Sequence, residues 1–167
     1  IARETLTACV KGENVGEITS NHKQLTQPLG AFVTLKEKGA LRGCIGRFEP
    51  DAPVQDIVKD MTQSAALEDP RFTPLTPNEL KEIDIEISVL TPRRRIQGID
   101  EIQIGKHGLY LRKGWYAGTL LPQVATEYHW DVQTFLQQTC LKSGLPSDAW
   151  KDEKTEIYIY SAIIFHE

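Results

Sequence analysis

The segment 30–46 reads GAFVTLKEKGALRGCIG and predicts a β-hairpin. Apolar residues occupy every second position from Ala31 to Leu35, the two-residue period of a strand with one buried face. Glu37–Gly39 then provides turn-forming residues, and Leu41–Gly46 follows as a second strand. We therefore expect a sheet at this point, on which the neighbouring elements pack.

The sequence after the hairpin predicts a helix and then a strand. Asp51 is placed to cap the helix, and Pro53 lies in its first turn. Apolar residues then recur at helical spacing, at Val54, Ile57, Val58, Met61 and Ala65. Ile83–Leu90 alternates apolar with polar residues and predicts a strand with one buried face.

The second half of the chain shows the same order of elements. Gly108–Leu121 predicts a hairpin that turns at Lys113-Gly114. Asp131 is placed to cap a following helix, which Gly144 ends, and Thr155–Ile164 predicts a closing strand. This repetition favours an internal duplication of a hairpin-helix-strand (ββαβ) unit, although two such units also arise by chance in α+β folds.

These elements predict one α+β domain over residues 1–167, in which helices flank a mixed or antiparallel sheet and two subdomains share the chain. The repeat halves are expected at 30–90 and 108–164, with residues 91–105 as the linker. Within that linker, Arg93–Arg95 is interpreted as a solvated loop, or alternatively as a docking patch for an acidic partner.

The composition narrows the class of protein. The chain has 19 Lys+Arg against 23 Asp+Glu and a net charge of −4, so a general nucleic-acid binder is not expected. No apolar run approaches the ~20 residues of a membrane span, and no signal peptide opens the chain, so we expect no membrane association and a cytoplasmic, intracellular location. Because the sequence begins at Ile1 rather than Met, we expect that residues precede it in the natural protein.

The sequence lacks the common motifs for phosphate, dinucleotide and zinc binding and for serine hydrolases. Its four histidines show no paired spacing with one another or with cysteine, so we predict no metal site and no cofactor. Three widely spaced cysteines favour a reducing compartment over a disulfide framework. Cys9 and Cys140 lie on apolar helical stripes, the first over Ala2–Val10, and are interpreted as core residues.

Cys44 differs from the other two because it lies in the strand LRGCIG, residues 41–46. If Leu41 and Ile45 face the core, Arg42 and Cys44 lie together on the other face. A fixed positive charge beside a thiol favours the nucleophilic thiolate. Gly43 and Gly46 would allow a ligand or another backbone to approach. The alternative is that Cys44 is a small buried residue and the glycines only accommodate packing.

The hexapeptide LRGCIG is identical to the signature of the AMMECR family, which the chain resembles over nearly its whole length. Further blocks that resemble the family are Gly30–Leu35, Asp69–Phe72, Ile87–Pro92, Ile104–Leu109, Leu120–Ala125 and the stretch 130–145. The resemblance implies an α+β domain with a larger and a smaller subdomain and a cleft near the signature. It implies no settled reaction, but it suggests a Memo-like protein and a radical-SAM protein as partners.

Three further residues are candidates for the same site. His107, between two turn residues, is a candidate general base for Cys44 or else a solvated turn histidine. Arg71 follows Asp69-Pro70 and is a candidate anion-binding residue or else part of a structural salt bridge, with Asp69 capping the turn. Glu127 is a candidate substrate contact or else a solvated charge.

The sequence therefore supports two main hypotheses for function. In the first, the protein is an enzyme or catalytic subunit: Cys44, Arg42 and His107 are catalytic, and Gly43, Gly46, Arg71 and Glu127 bind an anionic substrate. In the second, it is a non-catalytic adaptor that docks the two partners. A nucleic-acid-binding module would need a basic stripe joining Arg42 and Arg71 to Arg93–Arg95.

Overall fold

The computed structural model describes residues 1–17, 20 and 22–167. The chain forms two compact units, of which unit 1 comprises residues 1–90 with 163–167 and unit 2 comprises residues 91–162. Each unit contains a four-stranded antiparallel sheet and helices that pack on it. The predicted α+β class is confirmed.

Unit 1 contains the sheet that carries the LRGCIG strand. Its elements are α1 (Ala2–Val10), β1 (Ala31–Glu37), β2 (Ala40–Arg47), α2 (Val54–Leu67) and β3 (Ile83–Leu90), completed by a late strand, β8 (Ala162–His166). The strand order is β2-β1-β3-β8, so β2 and β8 are the edge strands. Val33 and Leu35 of β1, together with Ile57 of α2, are fully buried between sheet and helices.

The predicted first hairpin and the alternation in β1 are confirmed. The turn places Lys38 and Gly39 at φ values of 52° and 82°, the left-handed region that two-residue hairpin turns require. The predicted first helix is also confirmed as α1, and Gly12, at φ 71°, follows its end.

The predicted cap of α2 is wrong. The helix begins at Val54, and Pro53 rather than Asp51 is the residue that precedes it. The carbonyl of Pro53 accepts the N–H groups of Asp56 and Ile57, whereas the Asp51 carboxylate lies 3.4 Å from Arg47 Nη1. The first turn of α2 therefore has no side-chain cap.

Unit 2 contains the second hairpin and the second sheet. Its elements are β4 (Arg94–Arg95), β5 (Gly108–Lys113), β6 (Tyr116–Leu120), α3 (Pro122–Glu127), α4 (Val132–Lys142) and β7 (Glu156–Tyr160), in the sheet order β4-β7-β5-β6. The predicted cap of α4 is confirmed, because the Asp131 carboxylate accepts the Thr134 N–H at 2.8 Å. Phe135, Leu136 and Cys140 of α4 are fully buried against the sheet.

The predicted closing strand, Thr155–Ile164, is in fact two strands in two different sheets. It is interrupted at Ser161, which separates β7 from β8. Ser161 instead pairs with Thr91: its N–H donates to the Thr91 hydroxyl and its carbonyl accepts the Thr91 N–H, both at 2.8 Å. At Ser161 the main chain therefore bonds to Thr91 and the strand is interrupted between β7 and β8.

Residues 91–105 are part of unit 2 and not a free linker. Ile96 and Ile102 are buried in its core. Arg94 and Arg95 are exposed, as predicted, but they form the edge strand β4 and not a loop, and they pair with Glu101 and Glu156. Both units show a hairpin, a helix and a strand in that order; that the order reflects a duplication stays a prediction.

Among the described residues, no helix is long and apolar enough to cross a bilayer.

Candidate functional site

Cys44 lies in the middle of β2, opposite Thr34 of β1. The Thr34 hydroxyl donates a hydrogen bond to Cys44 Sγ at 3.3 Å. Cys44 is half-buried, so it is not sealed inside the core. The side chain is therefore both oriented by a neighbour and within reach of solvent.

The outer main-chain groups of Cys44 are bound by two side chains from the segment after α2. The Cys44 N–H donates to Asp69 Oδ2 at 2.8 Å, and Arg71 Nη2 donates to the Cys44 carbonyl at 3.0 Å. Because β2 is an edge strand, these groups have no further strand to pair with. Asp69 and Arg71 thus take the place of a fifth strand at this one residue.

Asp69 and Arg71 also bind each other through two parallel contacts. Arg71 Nε lies 2.9 Å from Oδ1 of Asp69, and Arg71 Nη2 lies 2.7 Å from Oδ2. The Arg71 hydrogen bond holds the pKa of Asp69 well below its ordinary value, with the Cys44 and Arg71 N–H groups adding to the effect. In return, the pKa of Arg71 is raised mainly by Asp69 and in smaller part by Cys44.

The exposure of the two partners differs sharply. The Asp69 side chain is 2% exposed, whereas that of Arg71 is 52% exposed. The carboxylate is therefore a buried anchor, and the guanidinium faces solvent on one side. The predicted turn cap is confirmed as well, because the Arg71 N–H donates to Asp69 Oδ1 at 3.1 Å.

Arg42 is held by a separate set of groups. Its Nε donates to Glu79 Oε1 and its Nη1 to the Thr73 carbonyl, both at 2.9 Å. Hydrogen bonds from Thr76, with a smaller contribution from Arg42, lower the pKa of Glu79 to about 2. Glu79 is therefore ionised across the physiological range.

One aromatic ring joins the two arginines. The guanidinium carbons of Arg42 and Arg71 lie 6.0 and 5.5 Å from the centroid of the Phe72 ring. Such distances are at the outer range of cation–π attraction. Arg42, Arg71 and Phe72, together with Cys44, form one cluster in unit 1, which we call the signature cluster.

The prediction that Leu41 faces the core and that Arg42 lies beside the thiol is wrong in part. Leu41 is 45% exposed, while Ile45 packs against the core. A bulge interrupts the alternation, because Leu35 pairs with Gly43 and Lys36 with Leu41, so that Arg42 is the extra residue. The guanidinium bound at Cys44 belongs to Arg71 instead.

The space beside each of the two glycines of the signature is occupied by other atoms of the protein. A Cβ at Gly43 would overlap the carbonyl oxygen of Ala65 in α2, and one at Gly46 would overlap the Phe32 ring. Of the two explanations for these glycines, the close approach of other protein groups is the one observed. That either glycine contacts substrate stays a prediction.

His107 and Glu127 belong to unit 2. His107 is half-buried, and its Nδ1 accepts the Gln103 N–H at 3.2 Å. Burial, with the nearby charge of Lys106, lowers the pKa of His107. Glu127 is exposed at the end of α3. Their predicted roles toward Cys44 and substrate stay predictions.

The other two cysteines are packing residues, as predicted. Cys140 is fully buried in unit 2, and Cys9 packs against the unit 1 core with its thiol donating to the Leu6 carbonyl at 3.4 Å. Burial raises the pKa of both thiols. Within residues 1–17, 20 and 22–167, no three His, Cys, Asp or Glu side chains are grouped as a metal site.

Sequence reasoning did not assign roles to Thr34, Phe72 and Glu79. The hairpin register, which places Thr34 opposite Cys44, could have identified the first. Phe72 stands in a block that resembles the family, next to Asp69 and Arg71. Glu79 carries no local signal, because its partner Arg42 is 37 residues away in the sequence.

Comparison with known proteins identifies relatives that share the fold and much of the sequence of this chain. A solved structure, that of uncharacterized protein PH0010 from Pyrococcus horikoshii, superposes with a TM-score of 0.89 at 38% identity, covering 99% of this chain and 87% of the other. A protein of Methanothermobacter thermautotrophicus is 48% identical over 147 residues, 84% of this chain and 77% of the relative. One of Thermococcus gammatolerans is 42% identical over 178 residues, 100% of this chain and 87% of the relative.

The names of these relatives state no activity, so they give the family and the fold without a reaction. The sequence profile of one family, AMMECR1, matches residues 1–165. The chain therefore belongs to the AMMECR1 family.

Proposed function

We propose that the protein is a cysteine-dependent enzyme or catalytic subunit whose nucleophile is Cys44. The observation that carries the proposal is the seating of Arg71 on the strand at Cys44, with the guanidinium 3.0 Å from the Cys44 carbonyl and half of its side chain in solvent. In the proposed reaction, the thiol of this half-buried cysteine attacks a substrate whose anionic group is held by the guanidinium seated at the cysteine's main chain.

The anionic group of the substrate would bind at Arg71 and Arg42. Guanidinium groups match carboxylate and phosphate oxygens with paired N–H donors. Asp69 and Glu79 pair with these two arginines, so the signature cluster and its two carboxylate partners together carry no net formal charge. Recognition must therefore rely on directed hydrogen bonds more than on long-range attraction, and a modest affinity follows.

The proposal includes partners on the strength of the family resemblance. A Memo-like protein and a radical-SAM protein would supply or consume the substrate of this site. Neither partner is needed for the reactivity of Cys44 itself, so the chemistry can be tested on the isolated chain.

The second candidate function is a non-catalytic adaptor. It is favoured by three consecutive exposed apolar residues on the edge strand β8, Ile163, Ile164 and Phe165. An adaptor would keep its partner affinity in Cys44→Ser, whereas the enzyme would lose turnover while keeping its fold.

The test of the enzyme proposal is protection of Cys44 by an anion. We expect inorganic phosphate to slow alkylation of Cys44 by iodoacetamide, read by peptide mass spectrometry near neutral pH, and to leave Cys9 unaffected. Arg71→Gln should abolish the protection. Equal alkylation of Cys44 with and without phosphate, or protection that persists in Arg71→Gln, would contradict anion binding at this site.

A further inference from the structure

The tip of the β5–β6 hairpin in unit 2 carries the most exposed aromatic residue of the part of the chain that the structure describes. The turn between β5 and β6 holds Gly114 at φ 60° and projects the next residue, Trp115, away from the sheet. Trp115 is 102% exposed and the adjacent Tyr116 is 57% exposed. Two large rings in water at a loop tip are unfavourable unless a partner covers them.

A groove of about 470 Å³ lies at the base of this tip. It is lined by Lys113, Gly114, Trp115, Tyr116, Leu145 and Lys154. The two aromatic rings and Leu145 supply apolar surface, and the only charged side chains of the lining are lysines. The groove is therefore amphipathic, with an apolar wall and a cationic rim.

The two lysines are not equivalent. Lys113 Nζ forms an ion pair with Asp152 at 2.8 Å. Lys154 is exposed, and its ammonium makes no ion pair with any residue that the structure describes. The Asp152 carboxylate also interacts with the charge of Lys154, which, after the hydrogen bond from Lys113, contributes to lowering the pKa of Asp152. Two lysines therefore share one carboxylate at this groove, and these three groups together carry a net positive charge.

We propose that this hairpin tip docks on the interfacial layer of an anionic phospholipid membrane. Trp and Tyr favour that layer because it takes their rings while hydrating their polar atoms. Lysine extends its charge to the lipid phosphates while its methylene stem lies on apolar surface. The docking is peripheral and requires no membrane-spanning helix. It therefore departs from the sequence-based expectation of no membrane association, which rested on the lack of an apolar span and a signal peptide.

Single-stranded nucleic acid is the less favoured occupant of the same surface. Such binders track a backbone with a groove of several cations, each meeting a phosphate. Here the groove offers only two lysines, one of which is paired with Asp152, beside a protruding aromatic ring. A projecting apolar tip with so few cations fits insertion into a lipid interface better than tracking along a strand.

The test uses sedimentation with vesicles and tryptophan emission. We expect the full chain to pellet with phosphatidylcholine/phosphatidylglycerol vesicles, with a blue shift of its emission. Trp115→Ala should lose both, and Lys154→Glu should weaken binding about fivefold or more at low salt, the effect of one lysine near an anionic surface. Because both residues are exposed, neither change should disturb the fold.

The control is Phe165→Ala, which removes an exposed aromatic residue from unit 1 and should bind vesicles as the unaltered chain does. Failure of the unaltered chain to bind vesicles would overturn the proposal. Undiminished binding by Trp115→Ala would overturn it too. So would Trp115-dependent binding of a single-stranded oligonucleotide in place of vesicles.

Discussion

The buried carboxylate of Asp69 accepts the main-chain N–H of Cys44 at 2.8 Å. The same carboxylate holds Arg71, whose guanidinium reaches back to the Cys44 carbonyl. Asp69, in the segment after α2, therefore binds the main-chain N–H of Cys44 directly. It also positions Arg71, which binds the Cys44 carbonyl. Asp69 lies 25 residues after Cys44 in the sequence, so Arg71 is positioned at Cys44 by a long-range contact.

Replacing Asp69 by asparagine should destabilise unit 1. Asp69→Asn keeps an oxygen for the Cys44 N–H but removes the charge opposite Arg71. Breaking a buried pair costs about 3–5 kcal/mol, and the half-exposed Arg71 reduces this to about 2 kcal/mol. Denaturant unfolding measures the loss.

The matched control is Asp51→Asn, whose exposed carboxylate lies 3.4 Å from Arg47. We expect a change within about 0.5 kcal/mol for it. Similar values for the two variants would show that Asp69 does not have the anchoring role we assign.

Gly43→Ala should destabilise the fold by about 1–3 kcal/mol, the usual cost of overpacking. The added methyl group meets the main-chain carbonyl of Ala65, which cannot turn aside as a flexible side chain would. Thermal unfolding measures the effect. Gly16→Ala is the control, because nothing lies within 4 Å of a Cβ built there; equal melting temperatures for both variants would refute the close approach of α2.

The contribution of Glu79 to stability should depend on pH. Its pKa falls from 4.5 to about 2 on folding, so its ionised form stabilises the fold above pH 4.5, and this stabilisation is lost as the pH falls toward about 2. Glu79→Gln should therefore lower the free energy of unfolding by about 1–2 kcal/mol at neutral pH, and by progressively less as the pH falls below 4.5.

Urea unfolding of the unaltered chain and Glu79→Gln at a series of pH values measures this difference. Glu68→Gln, an exposed change at the end of α2, is the control. A difference between Glu79→Gln and the unaltered chain that stays constant down to pH 3 is inconsistent with an ionised Glu79 holding Arg42.

Thr34→Val should slow the alkylation of Cys44 without unfolding the hairpin. The hydroxyl that donates to Sγ stabilises negative charge on the sulfur, and valine keeps the shape of threonine without the donor. A hydrogen bond of about 1 kcal/mol corresponds to a rate change of no more than about fivefold. Unchanged or faster alkylation with an unchanged melting temperature would remove Thr34 from the site.

The local elements were predictable because their signals are local. Alternation from Ala31 to Leu35 and the turn at Gly39 lie within one hairpin, and Asp131 caps α4 through a residue three positions on. The incorrect predictions fall where contacts with residues distant in the sequence determine the local structure. The bulge at Arg42 turns this side chain toward Glu79, and Thr91 interrupts the strand at Ser161.

In the candidate site, too, the local pattern was predictable and the long-range contact was not. The pattern LRGCIG identified Cys44, but alternation alone assigned the neighbouring charge to Arg42. The observed partner, Arg71, is placed by the segment after α2, which the packing of Gly43 against Ala65 brings beside β2. The sequence identified Arg71 as a candidate anion-binding or salt-bridge residue, but no local signal indicated that it contacts Cys44.

The most direct test of the central claim is the order in which the three cysteines react. Limiting iodoacetamide is added to the folded chain near neutral pH, and each cysteine peptide is quantified by mass spectrometry over time. We predict that Cys44 reacts first, because Cys140 is fully buried and burial raises the pKa of both Cys9 and Cys140. Reaction of Cys9 before Cys44, or a Cys44 that reacts only after unfolding, would contradict the account.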